Sequence, residues 1–97
     1  MSPRPKKKRL CKGKFCDRAF KPAGTPLQEL QQISIQQDEL EALRLCDYQG
    51  LFQEQAGERM GVSRGTVQRI LTSARRKVAE ALSTGSALVI EVDEGQE

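Results

Sequence analysis

The strongest constraint on the fold is a pattern in the second half of the chain that is typical of two helices joined by a tight turn. Residues 53–60 have helical spacing and are followed by Gly61, a residue that adopts the left-handed conformation of a helix end without strain. Ser63 then supplies a hydroxyl that suits a helix N-cap. We therefore predict a short helix, a turn at glycine and a long helix over residues 64–83.

Small and apolar residues occupy the positions that two closely crossing helices require. In a helix-turn-helix frame of about twenty residues that starts at Gln53 and has Gly61 as its turn glycine, the closest crossing falls at Gly57. The positions that hold the two helices together are all apolar, and they are Ala56, Met60, Val62, Val67 and Ile70.

The predicted long helix has an apolar stripe and an opposite basic face. We expect the stripe to be buried, and it consists of Val67, Ile70, Leu71, Ala74, Val78, Ala81 and Leu82. The opposite face holds Gly65, Arg69, Thr72 and Arg76, with Gln68, Ser73, Arg75 and Lys77 beside it.

The remaining segments predict a mainly α fold with a short two-stranded β element. A first helix of about ten residues starts at Asp38 and ends near Gly50. Alternation over residues 31–35 and β-branched residues over 87–92 indicate two strands. We divide the chain into a basic, Pro-containing arm (1–26), a helix-turn-helix domain (27–85), and a C-terminal strand with an acidic tail (86–97).

The sequence leaves open whether these two strands pair within one chain or between two chains. A free edge of the C-terminal strand, together with the small area that one recognition helix buries, is the basis of a homodimer hypothesis.

The charges are segregated along the chain. Residues 1–25 carry nine basic residues and one acidic residue, whereas residues 26–62 carry two basic and seven acidic residues. Residues 63–84 are again basic, with five basic residues and one acidic residue. This pattern predicts two separate basic elements that suit a polyanion.

Double-stranded DNA is the polyanion that this arrangement fits best, because its major groove, about 12 Å wide, admits one α-helix. We predict base contacts by Arg64, Gly65, Thr66, Gln68, Arg69 and Thr72. We predict phosphate contacts by Ser63, Arg75, Arg76, Lys77, Arg4, Lys6, Lys7, Lys8 and Arg9. The arm would lie in the minor groove or along phosphates. Alternatively, it is a solubilising tail or a nuclear import signal.

Two resemblances support this interpretation. Residues 38–82 resemble the DNA-contacting fourth region of bacterial sigma factors, with D-E and A-L-R-L followed by G-V-S-R-G-T-V and A-R-R-K. The chain is also similar to an uncharacterised prokaryotic family of short predicted DNA-binding proteins, through Pro3-Arg4-Pro5, Cys11, Phe20 to Gly24, Asp38 to Leu45 and Gly61 to Thr66. The resemblance implies a sigma-like helix-turn-helix and transcription regulation, without naming a target.

Three residues depart from the sigma-like pattern. Gln36 and Phe52 stand where hydroxyl or small polar N-caps are expected, and the loss of a cap typically costs about 1 kcal/mol. Gly57 replaces the more usual alanine, at a helix penalty of roughly 1 kcal/mol. We therefore expect fraying at two helix starts and marginal stability without a partner.

The cysteines Cys11, Cys16 and Cys46 raise an alternative, a metal- or redox-sensing regulator. A complete four-ligand site would need a carboxylate such as Asp17, a water molecule or a second chain. The chain has no histidine, the commonest zinc ligand and general base, so we expect no enzyme activity and no cofactor. The odd number of cysteines indicates a reducing cytoplasm.

A second alternative is a protein-interaction module that binds RNA polymerase or another regulator. Sigma-like helical domains also bind polymerase subunits, and the acidic surface of residues 29–58 suits a basic partner. We expect a cytoplasmic, nucleoid-associated protein without a membrane partner, because the longest apolar run, residues 87–90, is too short to span a bilayer.

Overall fold

The computed structural model describes residues 15–92 of the 97-residue chain, with side chains described for residues 18–91. The fold is mainly α with a small three-stranded sheet, which confirms the predicted fold class. Its strands are β1 (Phe15–Phe20), β2 (Gln32–Ile35) and β3 (Ala87–Val92). Its α-helices are α1 (Gln37–Ala42), α2 (Gln53–Met60) and α3 (Arg64–Thr84), and α1 continues as a π-helical segment, Leu43–Tyr48.

The sheet has the order β1–β3–β2, with β1 antiparallel and β2 parallel to β3. The three helices separate β2 from β3 in the chain, and this crossover is long enough to bring β3 back in parallel. The sheet therefore has one strand more than the predicted two-stranded element. The additional strand, β1, lies in the predicted arm, where Asp17 and Arg18 interrupt the apolar alternation that would indicate a strand.

β3 is the central strand, and both of its edges are paired within the same chain. Leu88 has Phe20 as its register partner on one side and Ile33 on the other. The free edge of the C-terminal strand, on which the homodimer hypothesis rested, is therefore occupied by β1. That basis for a dimer is wrong.

At the two helix starts that lack a standard N-cap, the backbone N–H of the N-cap residue finds a side-chain acceptor. The backbone N–H of Gln36 donates to Glu39 Oε1 at 2.9 Å, and the backbone N–H of Phe52 donates to Gln55 Oε1 at 2.9 Å. In each case the third helical residue reaches back to the N-cap, which is one half of a capping box. The expected fraying is thus partly offset at both helices.

The turn between α2 and α3 allows the two helices to approach very closely. Gly61 ends α2 with φ at 76°, in the left-handed region, and Ser63 caps α3 by accepting a hydrogen bond from Thr66 N. A Cβ atom built on Gly57 would lie 2.6 Å from the carbonyl oxygen of Val62. Only glycine fits at this point without a shift of the backbone.

The core between the helices is small and aliphatic. Leu45, Ala56 and Val67 are fully buried, and partly buried residues pack around them, namely Cys46, Leu51 and Met60. These residues bring the π-helical segment, α2 and the first turn of α3 together. They fix the position of the start of α3.

Most of the predicted stripe on α3 is covered, and its last member is not. Val67, Leu71, Ala74 and Ala81 are buried, and Ile70 and Val78 are half-buried. Leu82 is 79% exposed and lines an open hollow with Phe20 at the end of β1. Its predicted burial is wrong, because the layer that covers α3 is narrower than its apolar stripe.

Among the described residues, no helix is both long and apolar enough to cross a membrane.

We expect Gly57→Ala to lower the free energy of unfolding by about 1–3 kcal/mol, because the overlap with the Val62 carbonyl exceeds the gain in helix propensity. Gly65→Ala is the matched control. A Cβ atom there would lie 4.0 Å from its nearest neighbour, Ser63 Oγ, so this variant should be as stable as the wild type or slightly more stable. Urea unfolding followed by circular dichroism measures both, and equal stability of the two variants would contradict the steric argument.

Candidate nucleic-acid interface

The first half of α3 presents the predicted base-contacting residues on one exposed surface. Arg64, Gly65, Gln68, Arg69 and Thr72 are exposed, and Thr66 is half-buried. A shallow hollow along the helix is lined by Gly65, Gln68, Arg69, Thr72, Ser73 and Arg76, together with Lys77 and Glu80. The structure therefore places four of the six predicted base-contacting residues, and Arg76, around one concave surface, which we call the α3 face.

The α3 face is ordered at its start by a chain of hydrogen bonds. Ser63 Oγ accepts from the backbone N–H of Thr66 at 3.1 Å, and the two hydroxyl oxygens are 3.0 Å apart. Arg69 donates from an Nη atom to Thr66 Oγ1 at 3.2 Å. The cap, the first turn and one predicted base-contacting arginine are thus linked.

Arg75, a predicted phosphate contact, forms an ion pair with Asp47 of the π-helical segment. Its Nε and Nη atoms donate to the two carboxylate oxygens at 3.0 Å and 2.7 Å. The hydrogen bond from Arg75 lowers the pKa of Asp47, despite the opposing effect of its burial. Both side chains remain substantially exposed, so this pair adds little to stability. Asp47 partly neutralises the positive charge of Arg75.

Lys77 is held by hydrogen bonds to two other elements. Its Nζ donates to the Ser34 carbonyl oxygen of β2 at 2.7 Å and to Glu39 Oε1 of α1 at 2.8 Å. The side chain is 28% exposed. The structure therefore assigns Lys77 to an internal contact, in place of the phosphate contact that the sequence suggested.

Glu39 is the centre of a polar cluster that sequence reasoning missed. Its side chain is buried, and it accepts hydrogen bonds from the backbone N–H of Gln36, from Ser73 Oγ at 2.6 Å and from Lys77. Burial alone would raise the pKa of Glu39, but these hydrogen bonds and the charge of Lys77 outweigh it, so the pKa is lowered. We call Ser34, Glu39, Ser73 and Lys77 the Glu39 cluster.

The Glu39 cluster joins β2, α1 and the middle of α3. Ser73 and Lys77 follow Glu39 by 34 and 38 residues, so no local pattern pairs them. The only signal in the sequence is an acidic residue at the third position of a helix, which suggests a capping role. The cluster fixes the rotation of α3 and so determines which of its sides is exposed.

The described residues contain no metal-binding cluster that would support the cysteine hypothesis. Cys46 is half-buried, and burial, together with the nearby charge of Asp47, raises the pKa of its thiol. Cys11 and the side chain of Cys16 lie outside the described part of the chain, as do the arm residues Arg4, Lys6, Lys7, Lys8 and Arg9. Within residues 18–91, no group of three or more histidine, cysteine and acidic side chains is placed to hold a metal ion.

A family model described as protein of unknown function DUF134 matches residues 1–96. A UPF0251 protein of Vibrio parahaemolyticus is 47% identical over 91 residues, which cover 94% of this chain and 95% of the relative. UPF0251 proteins of Thermococcus kodakarensis and Desulforudis audaxviator are each 58% identical, over 74 and 72 residues. Those alignments cover 66% and 47% of the relatives, so the chain spans about half the length of the Desulforudis protein. None of these names contains an enzymatic activity, and no solved structure matches the chain.

We expect Glu39→Gln to lower the free energy of unfolding at pH 7 by about 1–3 kcal/mol, because it leaves Lys77 partly buried without its counter-charge. The pKa of Glu39 is lower in the folded protein than in the unfolded chain. Its contribution is therefore complete above the unfolded-state pKa and is lost as the pH falls through the folded-state value.

Urea unfolding at pH 7 and pH 3 measures this contribution. The difference in stability between the wild type and Glu39→Gln should shrink at pH 3. Glu58→Gln, which changes an exposed carboxylate on α2, is the control and should leave the stability at pH 7 nearly unchanged. An equal effect of the two substitutions would show that the Glu39 cluster contributes nothing specific.

Proposed function

The chain belongs to the DUF134 family, and we propose that it binds double-stranded DNA in a sequence-specific manner through α3, as a helix-turn-helix does, and thereby regulates transcription. The observation that carries this proposal is the α3 face. Its arginine, glutamine and threonine side chains are exposed on the first half of a long helix that follows a tight turn at Gly61.

The dimensions of the α3 face support insertion into a major groove. From Arg64 to Arg76 the helix rises about 18 Å, so its first three turns are long enough to follow the groove across several base pairs. Gly65 is exposed and has open space beyond its Cα atom, so the helix backbone can come close to the DNA there. The base contacts therefore centre on Gly65, Gln68, Arg69 and Thr72, with Arg64 and Thr66 at the start of the helix.

Charge on the exposed side of α3 supports binding to phosphates. Neither Arg64 nor Arg76 forms an ion pair with another described residue, so both guanidinium groups are available to a ligand. Arg76 and Ser63 are the phosphate contacts that the structure supports best. Arg75 is a weaker candidate because Asp47 partly neutralises its charge, and Lys77 is omitted because it belongs to the Glu39 cluster.

The basic residues of the arm are the second element of the proposal. Arg4, Lys6, Lys7, Lys8 and Arg9 precede β1, and we assign them to phosphates or the minor groove next to the site of α3. These contacts supply affinity that does not depend on base sequence, whereas the α3 face supplies the choice of sequence.

We expect Arg76→Ala to weaken binding to random duplex DNA and to reduce the slope of log K against log salt by about 1, because one phosphate contact is lost. The double variant Arg69→Ala/Arg76→Ala should bind the duplex more weakly still. Fluorescence anisotropy between 50 and 300 mM salt gives the slope. Lys21→Ala is the control, because Lys21 lies by Leu82, about 20 Å along α3 from Arg69. If Lys21→Ala and Arg76→Ala behave alike, the α3 face is not the binding surface.

Removal of residues 2–9 tests the arm separately. Five positive residues are lost, so the salt slope should flatten by several units at about 0.9 per phosphate contact. An unchanged slope would exclude the arm from the interface. If neither the full chain nor the truncated chain binds duplex DNA at low salt, the proposed function fails and a protein partner becomes the leading interpretation.

A further inference from the structure

We propose that Thr66 and Arg69 act as one recognition unit, in which Thr66 is a positioning residue that holds Arg69 to read a guanine. This inference rests on the proposed DNA binding and specifies which base the α3 face selects.

The hydrogen bond between Arg69 and Thr66 has only one possible direction. An arginine side chain donates and never accepts, so Thr66 Oγ1 is the acceptor of the 3.2 Å bond from Arg69. The Thr66 oxygen keeps a second acceptor position and its hydroxyl hydrogen, so it also forms the 3.0 Å hydrogen bond with Ser63 Oγ, in which either hydroxyl can donate. Ser63 Oγ accepts from the backbone N–H of Thr66 and so holds Thr66 at the start of α3.

The direction of the bond to Thr66 determines what Arg69 offers to a base. Thr66 takes one of its five N–H groups, and the remaining four suffice for two parallel hydrogen bonds to a base. Guanine is the base that presents two acceptors, N7 and O6, on its major-groove edge. A donor-only side chain therefore selects guanine, and the bond to Thr66 reduces the conformational freedom that Arg69 loses on binding.

Arg69 differs in this respect from its neighbour on the α3 face. Gln68 lines the same hollow, but no other described residue holds its side chain. An amide that is free to turn adapts to more than one base edge, whereas a guanidinium that is hydrogen-bonded to Thr66 has fewer orientations open to it. We therefore assign the most selective base contact to Arg69.

The test uses the full chain and a duplex selected from a random-sequence pool. The guanine that Arg69 reads is the base whose replacement weakens binding by the wild type and has no effect on the Arg69→Ala variant. The measured quantity is the ratio of Kd values for the replaced and the selected duplex. We expect a ratio of at least about tenfold for the wild type, as for a bidentate contact.

Thr66→Val removes the hydroxyl and keeps the shape of the side chain, and Thr66→Ser keeps the hydroxyl. We expect the ratio of Kd values to fall at least about fivefold in Thr66→Val, because Arg69 without its hydrogen bond to Thr66 loses much of its bidentate contact. The ratio should be retained in Thr66→Ser. The salt slope should stay unchanged in both variants, because neither substitution removes a charge or a proposed phosphate contact. Circular dichroism confirms that both variants are folded.

The outcomes separate the recognition unit from the proposed function. If Thr66→Val binds duplex DNA and discriminates guanine as the wild type does, the unit is wrong and DNA binding stands. An equal loss of discrimination in Thr66→Ser would show that Thr66 has a merely structural role, which also overturns the unit. If the wild type does not bind any duplex at low salt, both the proposed function and the unit fail.

Discussion

The position of α3 depends on a buried carboxylate. Glu39 accepts hydrogen bonds from its own helix start, from Ser73 and from Lys77, and Lys77 also holds the Ser34 carbonyl of β2. Burying a charge is costly unless it is paired and hydrogen-bonded, so α3 has one favourable rotation, in which both of its polar partners reach this carboxylate. That rotation turns the adjacent side of the helix, with Gly65, Arg69 and Thr72, to solvent.

A steric constraint at the start of the same helix completes the arrangement. The close approach of Gly57 to the Val62 carbonyl brings α2 against the turn, and the Leu45, Ala56 and Val67 core holds the first turn of α3 in place. The start of α3 is thus fixed by packing and its middle by hydrogen bonds. Such a rigid support suits a recognition surface, because the exposed side chains need not reorganise the backbone on binding.

Most of the elements were predictable because each has a local cause. The boundaries of α2 and α3 follow from helical periodicity, a glycine at the turn and a serine at the cap. The similarity to an uncharacterised prokaryotic family is confirmed over residues 1–96. The candidate site was predictable in part. The exposed face of α3 follows from its period, but the roles of Arg75 and Lys77 depend on Asp47 and Glu39, which are distant in sequence.

The sequence by itself determined the helices, the turn and the basic composition of one helix face, because periodicity, glycine conformation and capping act over a few residues. Tertiary structure decided which cations on that helix are free to meet a ligand and which are paired within the protein. It also decided that β1 forms and that β3 lies between two partners, since a strand such as residues 15–20 gains its hydrogen bonds only from a neighbour about seventy residues away in the chain. Local pattern does not encode such contacts, because each depends on two segments that meet only after the helices have packed.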